Sequence, residues 1–479
     1  MKKSNPFVYL AGLALLSGSA GSARGASLLE VYQQALQSDP LIHEADARRL
    51  AASEVAPQAR GQLFPQLNAT ASFATSDASG DQLIFDESVG AVSVPFEAER
   101  DSTSWDVGLR QTLFRWDQVV GLKQAGKVVL RAEADYEAAQ QDLMVRVAQR
   151  YFAVLAAEDV LTSIHADRLA IARQLEQARQ RFEVGLIAIT DVQESQAAYD
   201  QAVAREIGAK RSLATAREFL REITGEYVIE LAAPAERFPL VSPNPADEQS
   251  WIDLAMQQNL SVISSRLSER VARDEIAFRR TGHYPTLELV ASRRSSDSTG
   301  ETIFELTTGA ELFPTDDNSV TDSIGLQFTL PIFSGGQTSS RVREAVYLHR
   351  AAREQLQRVV RETERQTRDA YLGVLAEISR VKALDQAVES SRTALEATEA
   401  GFEVGTRTIV DVLNSQFALY NAITNYYQSR YDYIGNVLQL KQAAGALQVQ
   451  DLEDIDRHLT DRKPPEQVIR EEEQEAGEY

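Results

Sequence analysis

The chain has 479 residues, enough for roughly three ordinary domains of ~150 residues each. It carries 49 Lys and Arg against 70 Asp and Glu, which gives a net charge of −21. This acidity argues against a nucleic-acid partner, because nucleic-acid phosphates attract basic surfaces. Cysteine is absent, so packing or assembly, and not disulfides, must hold the fold together.

The N-terminus has the pattern of a secretory signal peptide. Lys2 and Lys3 precede an apolar run from Phe7 to Leu16, and small residues follow up to Ala26. A run of ten residues is too short for a membrane-spanning helix, which needs about 20. We therefore predict a signal peptide at residues 1–25 and a mature chain that leaves the cytoplasm without a helical anchor.

The sequence repeats itself at a constant offset of 220 residues. The run Phe-Glu-Val-Gly at 182–185 recurs at 402–405, and many other positions follow the same offset. A constant offset over so long a span indicates two copies of one structural unit, which usually complete each other's core. We place the copies at residues 26–231 and 251–446, joined by a proline-rich connector at 232–250.

Each copy contains a long interval without proline, which predicts a helical hairpin. These intervals are rich in good helix formers. In the second copy the apolar residues follow a coiled-coil spacing, at Ile378, Val381, Leu384, Val388, Leu395 and Phe402. We predict hairpins at 118–225 and 336–446, whose first helices would be roughly 100 Å long at about 1.5 Å per residue.

The turn of each hairpin is predicted at the repeated Phe-Glu-Val-Gly run. Gly185 and Gly405 suit the left-handed backbone conformation that ends many helices. Thr190 and Thr408 are the expected N-caps of the helices that follow. Each copy therefore presents one helix tip, formed by its glycine and the residues up to the next helix.

Four short segments alternate apolar and polar residues, which is the pattern of a strand with one apolar face. They pair into two hairpins around polar stretches at 74–104 and 293–322, which we predict to be loops. The four strands are placed at 66–74, 104–114, 285–293 and 322–333.

Two interpretations of these strands are open. Alternation by itself favours a half-buried sheet in a soluble protein. A length of about ten residues, in an exported chain, instead matches the tilted strands of a transmembrane barrel. Four strands cannot close such a barrel, because single-chain barrels begin at about 8 strands, whereas three chains would supply twelve. The second interpretation therefore predicts an oligomer.

No group of residues has the spacing of a catalytic or metal site. The five histidines are scattered, and none has a second His at the i+4 spacing of a helical zinc site. A nucleophile elbow and a dinucleotide fingerprint are also missing. The sequence therefore predicts no catalytic residue, no cofactor, no metal and no enzymatic activity.

The remaining chemistry lies at the helix tips. Arg407 lies beside Gly405, Asp191 occupies the corresponding turn of the first copy, and Asp411 begins the next helix. One interpretation is ordinary helix-end chemistry, since the helix dipole favours Asp near an N-terminus. The other is a functional contact, because both tips should lie at the same height and Arg407 could pair with Asp191 of a neighbouring chain.

The chain closely resembles the TolC family of outer-membrane export and efflux channels. The similarity covers nearly the whole mature chain and is densest at Val31-Tyr32-Gln33-Gln34-Ala35, Arg181-Phe182-Glu183-Val184-Gly185 and Gly405-Thr406-Arg407-Thr408-Ile409. The resemblance implies a mainly α fold with membrane β-structure. It implies a homotrimer whose twelve-stranded barrel, four strands per chain, continues into a long α-helical coiled-coil barrel. The connector and residues 447–479 would belong to an equatorial region, and the acidic residues after Pro465 are expected to form a disordered tail.

The resemblance also implies a function. The trimer would lie in the outer membrane of a Gram-negative bacterium, extend into the periplasm, and give a gated exit path for drug efflux or type I protein secretion. Its implied partners are two further copies of itself, a periplasmic adaptor, an inner-membrane transporter that opens it, and outer-membrane lipid.

In the family, the periplasmic tips close the tube through an Arg that contacts a Thr and an Asp. These positions match Arg407, Thr190 and Asp191, and a further polar link matches Gln174 and Glu399. Of the two acidic rings at the family's constriction, the first matches Asp411, whereas the second falls on Asn414. Phe402 replaces a tyrosine of the closing network and has no hydroxyl to donate. The resemblance therefore implies a gate that is held less tightly, or by other contacts.

Two competing interpretations are a periplasmic adaptor and a structural coiled-coil protein or adhesin. Adaptors also contain helical hairpins, but they need lipoyl-like and soluble β-barrel modules, for which the sequence offers no segments. Strands with a lipid-facing side favour the channel over both.

Overall fold

The chain is mainly helical and contains one long antiparallel sheet. The computed structural model describes residues 25–86, 90–228, 230–235, 238–306 and 309–477, so the predicted signal peptide lies, except for Gly25, outside the described residues. The helices are α1 (Leu28–Ser38), α2 (Pro40–Ser53), α3 (Val55–Gly61), α4 (Trp116–Glu183), α5 (Ile189–Thr224), α6 (Glu248–Gln258), α7 (Leu260–Arg280), α8 (Gln337–Glu403), α9 (Ile409–Ala444), α10 (Val449–Asp456) and α11 (Pro465–Gly477). The strands are β1 (Gln66–Asp86), β2 (Gly90–Phe114), β3 (Ala233–Pro234), β4 (Thr286–Leu306), β5 (Gly309–Thr329) and β6 (Leu459–Thr460). None of the described helices combines the length and the apolar character needed to cross a membrane.

The chain forms two compact units, and neither corresponds to one copy of the repeat. The first unit contains the residues up to Pro40 together with Gln141–Trp251 and Thr367–Tyr479. The second contains Leu41–Gln140 and Ile252–Gln366. Each unit therefore takes segments from both copies.

The long sheet lies in the second unit and has the strand order β1-β2-β4-β5. All three pairings are antiparallel. Among the described residue pairs, the register shifts only between Thr112 and Phe114 of β2. Within the described chain, β1 and β5 each pair along one side only, so both edges of the sheet present unpaired backbone groups.

The constant register gives this sheet two different faces in the half nearest the helices. The apolar face, as we call it, carries Leu67, Phe73, Trp105, Val107, Leu109, Leu287, Leu289, Ile324, Leu326 and Phe328. Seven of these ten side chains are exposed, with Ile324 at 79%, and only Leu109, Leu287 and Leu289 are half-buried. The other side, the opposite face, carries polar residues. Its paired hydroxyls Ser72–Ser104 and Ser292–Ser323 each lie 2.8 Å apart.

The strands differ in length from the prediction. Residues 74–104 and 293–322 are predicted to be loops, but most of them are strand. In the first range β1 continues to Asp86 and β2 begins at Gly90, and in the second β4 continues to Leu306 and β5 begins at Gly309. Their Ser-, Thr- and Asp-rich composition has a weak intrinsic strand preference, but continuous ladder pairing overrides it. At the other end, β5 stops at Thr329 and not at 333, because Pro331 cannot donate to a ladder.

The first unit is built around the middle of the long helices. Tyr151 and Leu155 of α4 are fully buried, and Ile434 of α9 is nearly so. The Tyr151 hydroxyl donates to the carbonyl oxygen of Ala232 at 2.5 Å and lies 3.0 Å from that of Ala26. Burial raises the pKa of this hydroxyl well above its usual range, so it stays protonated. Tyr151 thus fixes two chain segments to α4.

The acidic C-terminal segment is a helix, not the disordered tail that its composition predicts. Arg217 of α5 bridges Glu158 of α4, at 3.0 Å, and Glu466 of α11, at 2.5 Å. Lys463 lies 2.8 Å from Glu471, and Ile469 is buried. Paired charges and the burial of Pro465 and Ile469 thus offset the like-charge repulsion that the composition suggested.

We predict that Tyr151→Phe lowers the free energy of unfolding by about 1–3 kcal/mol, because it leaves the buried Ala232 carbonyl without its donor. Denaturant titration in detergent measures this change. The matched control is Tyr371→Phe, at the equivalent position of the second copy. Tyr371 is also buried, but its hydroxyl makes no hydrogen bond among the described residues. An equal loss in both variants would show that the carbonyl bond is not the cause.

Candidate functional site at the helix tips

Both helix tips turn through the same backbone geometry. Gly185 and Gly405 have φ angles of +74° and +76°, which disfavour any residue with a side chain. In the first tip the Gly185 N–H donates to the Phe182 carbonyl at 2.9 Å, and the Leu186 N–H donates to the Arg181 carbonyl at 2.8 Å. Equivalent bonds close the second tip. These pairs satisfy carbonyls that the helix end would leave unbonded.

The two tips differ in how the following helix begins. In the second tip Thr408 is the N-cap, and it forms a reciprocal capping box with Asp411. In the first tip the N-cap is Ala188, which has no side chain to donate or accept. The predicted cap Thr190 lies within the first turn of α5 and is exposed, so that prediction was wrong. The first copy has Ala where the second has Thr, and its helix start therefore lacks a side-chain bond.

The carboxylate of Asp411 is held as an anion. Its Oδ2 accepts from the Thr408 N–H at 2.9 Å and from the Thr408 hydroxyl at 3.0 Å. The backbone bond and then the hydroxyl bond lower the pKa of Asp411 below its usual value, and the charge of Arg407 adds to the effect. Asp411 therefore keeps its charge in mildly acidic solution.

Arg407 is exposed at the end of the second tip and lies against a glycine. A Cβ placed on Gly401 would come within 2.8 Å of the Arg407 Cγ. Because Gly401 has no side chain, the Arg407 stem can pack on the end of α8 while its guanidinium remains accessible.

The predicted partners of Arg407 do not meet it within one chain. Thr190 is exposed and Asp191 is half-buried, and neither bonds to Arg407 among the described residues.

The other predicted gate residues also lack contacts with one another. Gln174 and Glu399 are not bonded to each other among the described residues. The Gln174 Oε1 atom is buried and accepts no hydrogen bond within the described chain. Asn414 is exposed on α9, one turn after Asp411.

Phe402 makes a contact that the sequence analysis missed. The guanidinium carbon of Arg181, at the end of α4, lies 4.9 Å from the centre of the Phe402 ring, at the end of α8. This cation–π contact joins the two hairpins of one chain at their tips, and such contacts contribute about 0.5–1 kcal/mol at exposed sites. The only sequence signal was that Arg181 and Phe402 both lie within one helical turn before a tip glycine.

Buried apolar side chains on the helices next to each tip hold that tip in place. In the first hairpin Leu175, Ala178 and Val192 form a buried cluster, against which Ile187 and Tyr199 pack. In the second hairpin Ile409 and Val412 are at most 4% exposed. The Thr190, Asp191 and Asp411 side chains therefore project from helix starts that burial fixes, and Arg407 lies in the turn just before the second of these starts.

Further along the helices, buried polar groups tie the two hairpins together. Asp167 of α4 accepts from Arg205 of α5 at 2.8 Å and from the Gln416 amide of α9 at 3.2 Å. Burial raises the pKa of Asp167, although Arg205 and Gln416 oppose that rise. Such directional bonds in a buried seam resist sliding of the hairpins, so relative movement should be easier at the tips.

No group of three or more His, Asp or Glu side chains that could hold a metal ion occurs in the described part of the chain.

Known proteins resemble this chain over nearly its whole length. The family model described as "Outer membrane efflux protein" matches residues 31–226 and 251–446. The chain is 38% identical to "Outer membrane protein TolC" of Vibrio cholerae over 459 residues, which cover 96% of this chain and 99% of that protein. It is 28% identical to "Alkaline protease secretion protein AprF" of Pseudomonas aeruginosa, over 97% of this chain and 93% of that protein. The crystal structure of VceC from Vibrio cholerae has a similar fold, with a TM-score of 0.67 at 19% identity, and the match covers 87% of this chain and 96% of VceC.

Proposed function

Since this chain belongs to the outer membrane efflux protein family, we propose that three copies form a gated channel from the periplasm through the outer membrane. The predicted TolC-family resemblance is confirmed by these matches, and the protein is an outer-membrane efflux protein. The family consists of efflux proteins and not of enzymes, in line with the absence of a catalytic motif from the sequence.

The open four-stranded sheet is the observation that carries the proposal. Its apolar face needs a lipid environment, and its edges, β1 and β5, carry unpaired N–H and C=O groups. In hydrocarbon each unpaired group costs several kcal/mol, because no water can bond to it. Pairing β1 of one chain with β5 of the next satisfies both edges. Three chains then give a closed barrel of twelve strands, within the range of known membrane barrels.

The helical hairpins continue the channel beyond the barrel. Each copy of the repeat supplies one long and one shorter helix, so a trimer has six hairpins around its axis. We assign residues 26–231 and 251–446 to the two structural repeats. The connector 232–250 and the segment 447–479 form an equatorial region, supported by the pairing of β3 with β6.

Contacts between neighbouring chains close the tips in this proposal. Arg407 of one chain pairs with Thr190 and Asp191 of the next, and Gln174 with Glu399. None of these residues bonds to its proposed partner within one chain. An exposed pair contributes roughly 0.2–1 kcal/mol, and threefold symmetry can raise the sum to about 3 kcal/mol. That sum biases the closed state by roughly a hundredfold, which a partner bound to the open tips can overcome.

The transported substrates follow from the relatives. AprF is named for the secretion of alkaline protease, whereas the family is named for efflux. We propose that this channel serves drug efflux, type I protein secretion, or both. It is opened on recruitment by an inner-membrane transporter and its periplasmic adaptor.

The latch is tested by Arg407→Ser, which removes the charge that holds neighbouring tips. We expect a larger single-channel conductance in planar lipid bilayers, because up to three contacts are lost at once. The matched control is Arg179→Ser, which removes an equal charge near the first tip, but from a residue that bonds to Gln196 of its own chain at 2.7 Å.

Sedimentation in detergent checks the assembly before these recordings. A stable, well-folded monomer would contradict the trimer. A trimer whose conductance is unchanged by Arg407→Ser would contradict the latch alone.

The Arg181–Phe402 contact is tested by changing the ring. We expect Phe402→Leu to raise the open-state population by up to roughly a hundredfold over three chains, because an apolar side chain remains but the ring face is lost. Phe402→Trp should lower the open-state population, since the indole ring binds cations best among the aromatic side chains. Open probability in single-channel recordings measures both. The control is Phe182→Leu at the equivalent position of the first copy. Equal effects of Leu and Trp at 402 would mean that shape, and not cation binding, holds the tips.

Ion selectivity as a function of pH tests Asp411 as the pore carboxylate. Because its pKa is lowered, we expect cation preference to persist below the usual Asp pKa of about 3.9, and to vanish only as the pH falls through the lowered value. Thr408→Val removes the hydroxyl bond and should shift that loss to higher pH. Reversal potentials in a salt gradient measure the preference.

Two further variants complete this experiment. Thr406→Val removes a hydroxyl that bonds to the Gly401 carbonyl and not to Asp411, so it should leave the profile unchanged. Asp411→Ala should abolish the preference at every pH. If Asp411→Ala keeps the native selectivity, Asp411 does not line the narrow part of the pore.

A further inference from the structure

The strands of the long sheet extend well beyond the length that a membrane requires. β1, β4 and β5 have 21 residues each and β2 has 25, whereas a tilted membrane strand needs about 9–11. In the proposed trimeric channel, on which this inference rests, the apolar face next to the helices spans the bilayer. The other half of each strand, which leads to the hairpin turns, therefore lies beyond the bilayer on the extracellular side.

The opposite face, which is polar within the membrane, becomes apolar near the hairpin turns. The register continues without a shift from the membrane half to the turns, so side chains there can be assigned to a face by counting along each strand. Ile84, Val92, Val94, Phe96, Phe304 and Phe313 all lie on the opposite face. In a barrel whose apolar face contacts lipid, this face lines the pore.

These side chains contact one another. The ring centres of Phe96 and Phe304 are 6.1 Å apart, and those of Phe304 and Phe313 are 5.5 Å apart in an edge-to-face arrangement. Val94 is only 4% exposed, whereas Phe85, on the other side of the same hairpin, is 80% exposed. The side chains on the opposite face near the hairpin turns therefore form a packed cluster. We call Phe96, Phe304 and Phe313 the aromatic cluster.

We propose that the aromatic clusters of three chains form an apolar constriction at the extracellular mouth of the channel. A hydrated ion that enters it finds no group to replace its water, so the constriction resists ions and polar solutes. Apolar and amphipathic cargo can instead contact the rings and displace the little water present. The channel thus has a barrier besides the latch at the helix tips, and this barrier selects by polarity.

Thiol labelling from outside the cell tests this barrier directly, because the native chain has no cysteine. Thr302→Cys places a thiol on the opposite face, one row closer to the membrane than Phe304. We expect a membrane-impermeant, charged maleimide to label it slowly. Adding Phe96→Ser and Phe304→Ser should accelerate labelling about tenfold, which corresponds to a barrier lower by ~1.4 kcal/mol. Glu301→Cys, on the outer side of the same strand, should be labelled quickly in both backgrounds.

A matched pair of substitutions separates the pore lining from general loss of apolar surface. Leu83→Ser with Phe85→Ser removes two apolar side chains from the same hairpin, but on its outer side. This pair should leave the labelling of Thr302→Cys unchanged. Rapid labelling of Thr302→Cys in the otherwise native channel, or equal acceleration by both pairs, would overturn the proposal.

Conductance gives a second readout that distinguishes this proposal from the proposed function. In the Arg407→Ser background, Phe96→Ser with Phe304→Ser should raise the conductance further, because two constrictions in series add their resistances. Ala98→Phe, which adds a ring to the same face without removing any packing, should lower it. A trimer that conducts but responds to neither change would refute the aromatic constriction and leave the channel intact. A protein that neither assembles nor conducts would refute both.

Discussion

The unpaired edges of β1 and β5 are the constraint on which the rest of the structure depends. A four-stranded sheet with one apolar face can enter lipid only if no backbone N–H or C=O is left without a partner. One chain cannot meet that condition, since β1 and β5 each have a neighbour on one side only within the described sheet. In the proposed trimer, closure by two further copies repeats every helix and every tip three times.

The two copies of the repeat build the fold together. Each compact unit combines segments of both copies, so neither copy folds around a core of its own. The tips show where the copies have diverged. Their glycine turns have the same geometry, but only the second tip has a capping box, formed by Thr408 and Asp411. The second copy thus fixes Asp411, the proposed pore carboxylate, at a helix start, whereas the first copy begins its helix at Ala188 without a side-chain bond.

The tips combine contacts of two kinds, and their strengths suit a gate. Contacts within one chain, such as Arg181 with Phe402, hold the two hairpins together. The proposed contacts between chains involve side chains that are not bonded to their partners within the chain, including Arg407 and Gln174. Each contact contributes about 1 kcal/mol or less, so no single one locks the tube. In the proposed trimer, threefold repetition would make the closed state dominant, while the buried seam at Asp167 restrains the helices away from the tips.

The sequence by itself determined the two-copy architecture, the helical hairpins and the glycine turns. The constant offset reveals the two copies, the spacing of apolar residues reveals the helices, and glycine marks the turns, so each signal can be read without knowing the fold. It also identified Thr408 and Asp411, since a capping box spans only one helical turn. It misplaced the strand ends, because the Ser- and Thr-rich residues beyond 74 and before 322 become strand through pairing with distant segments. The C-terminal helix, the Arg181–Phe402 contact and the aromatic cluster were decided only by tertiary structure. Each of these features joins residues that are far apart in the sequence. The free energy of such contacts depends on the folded geometry and not on local composition.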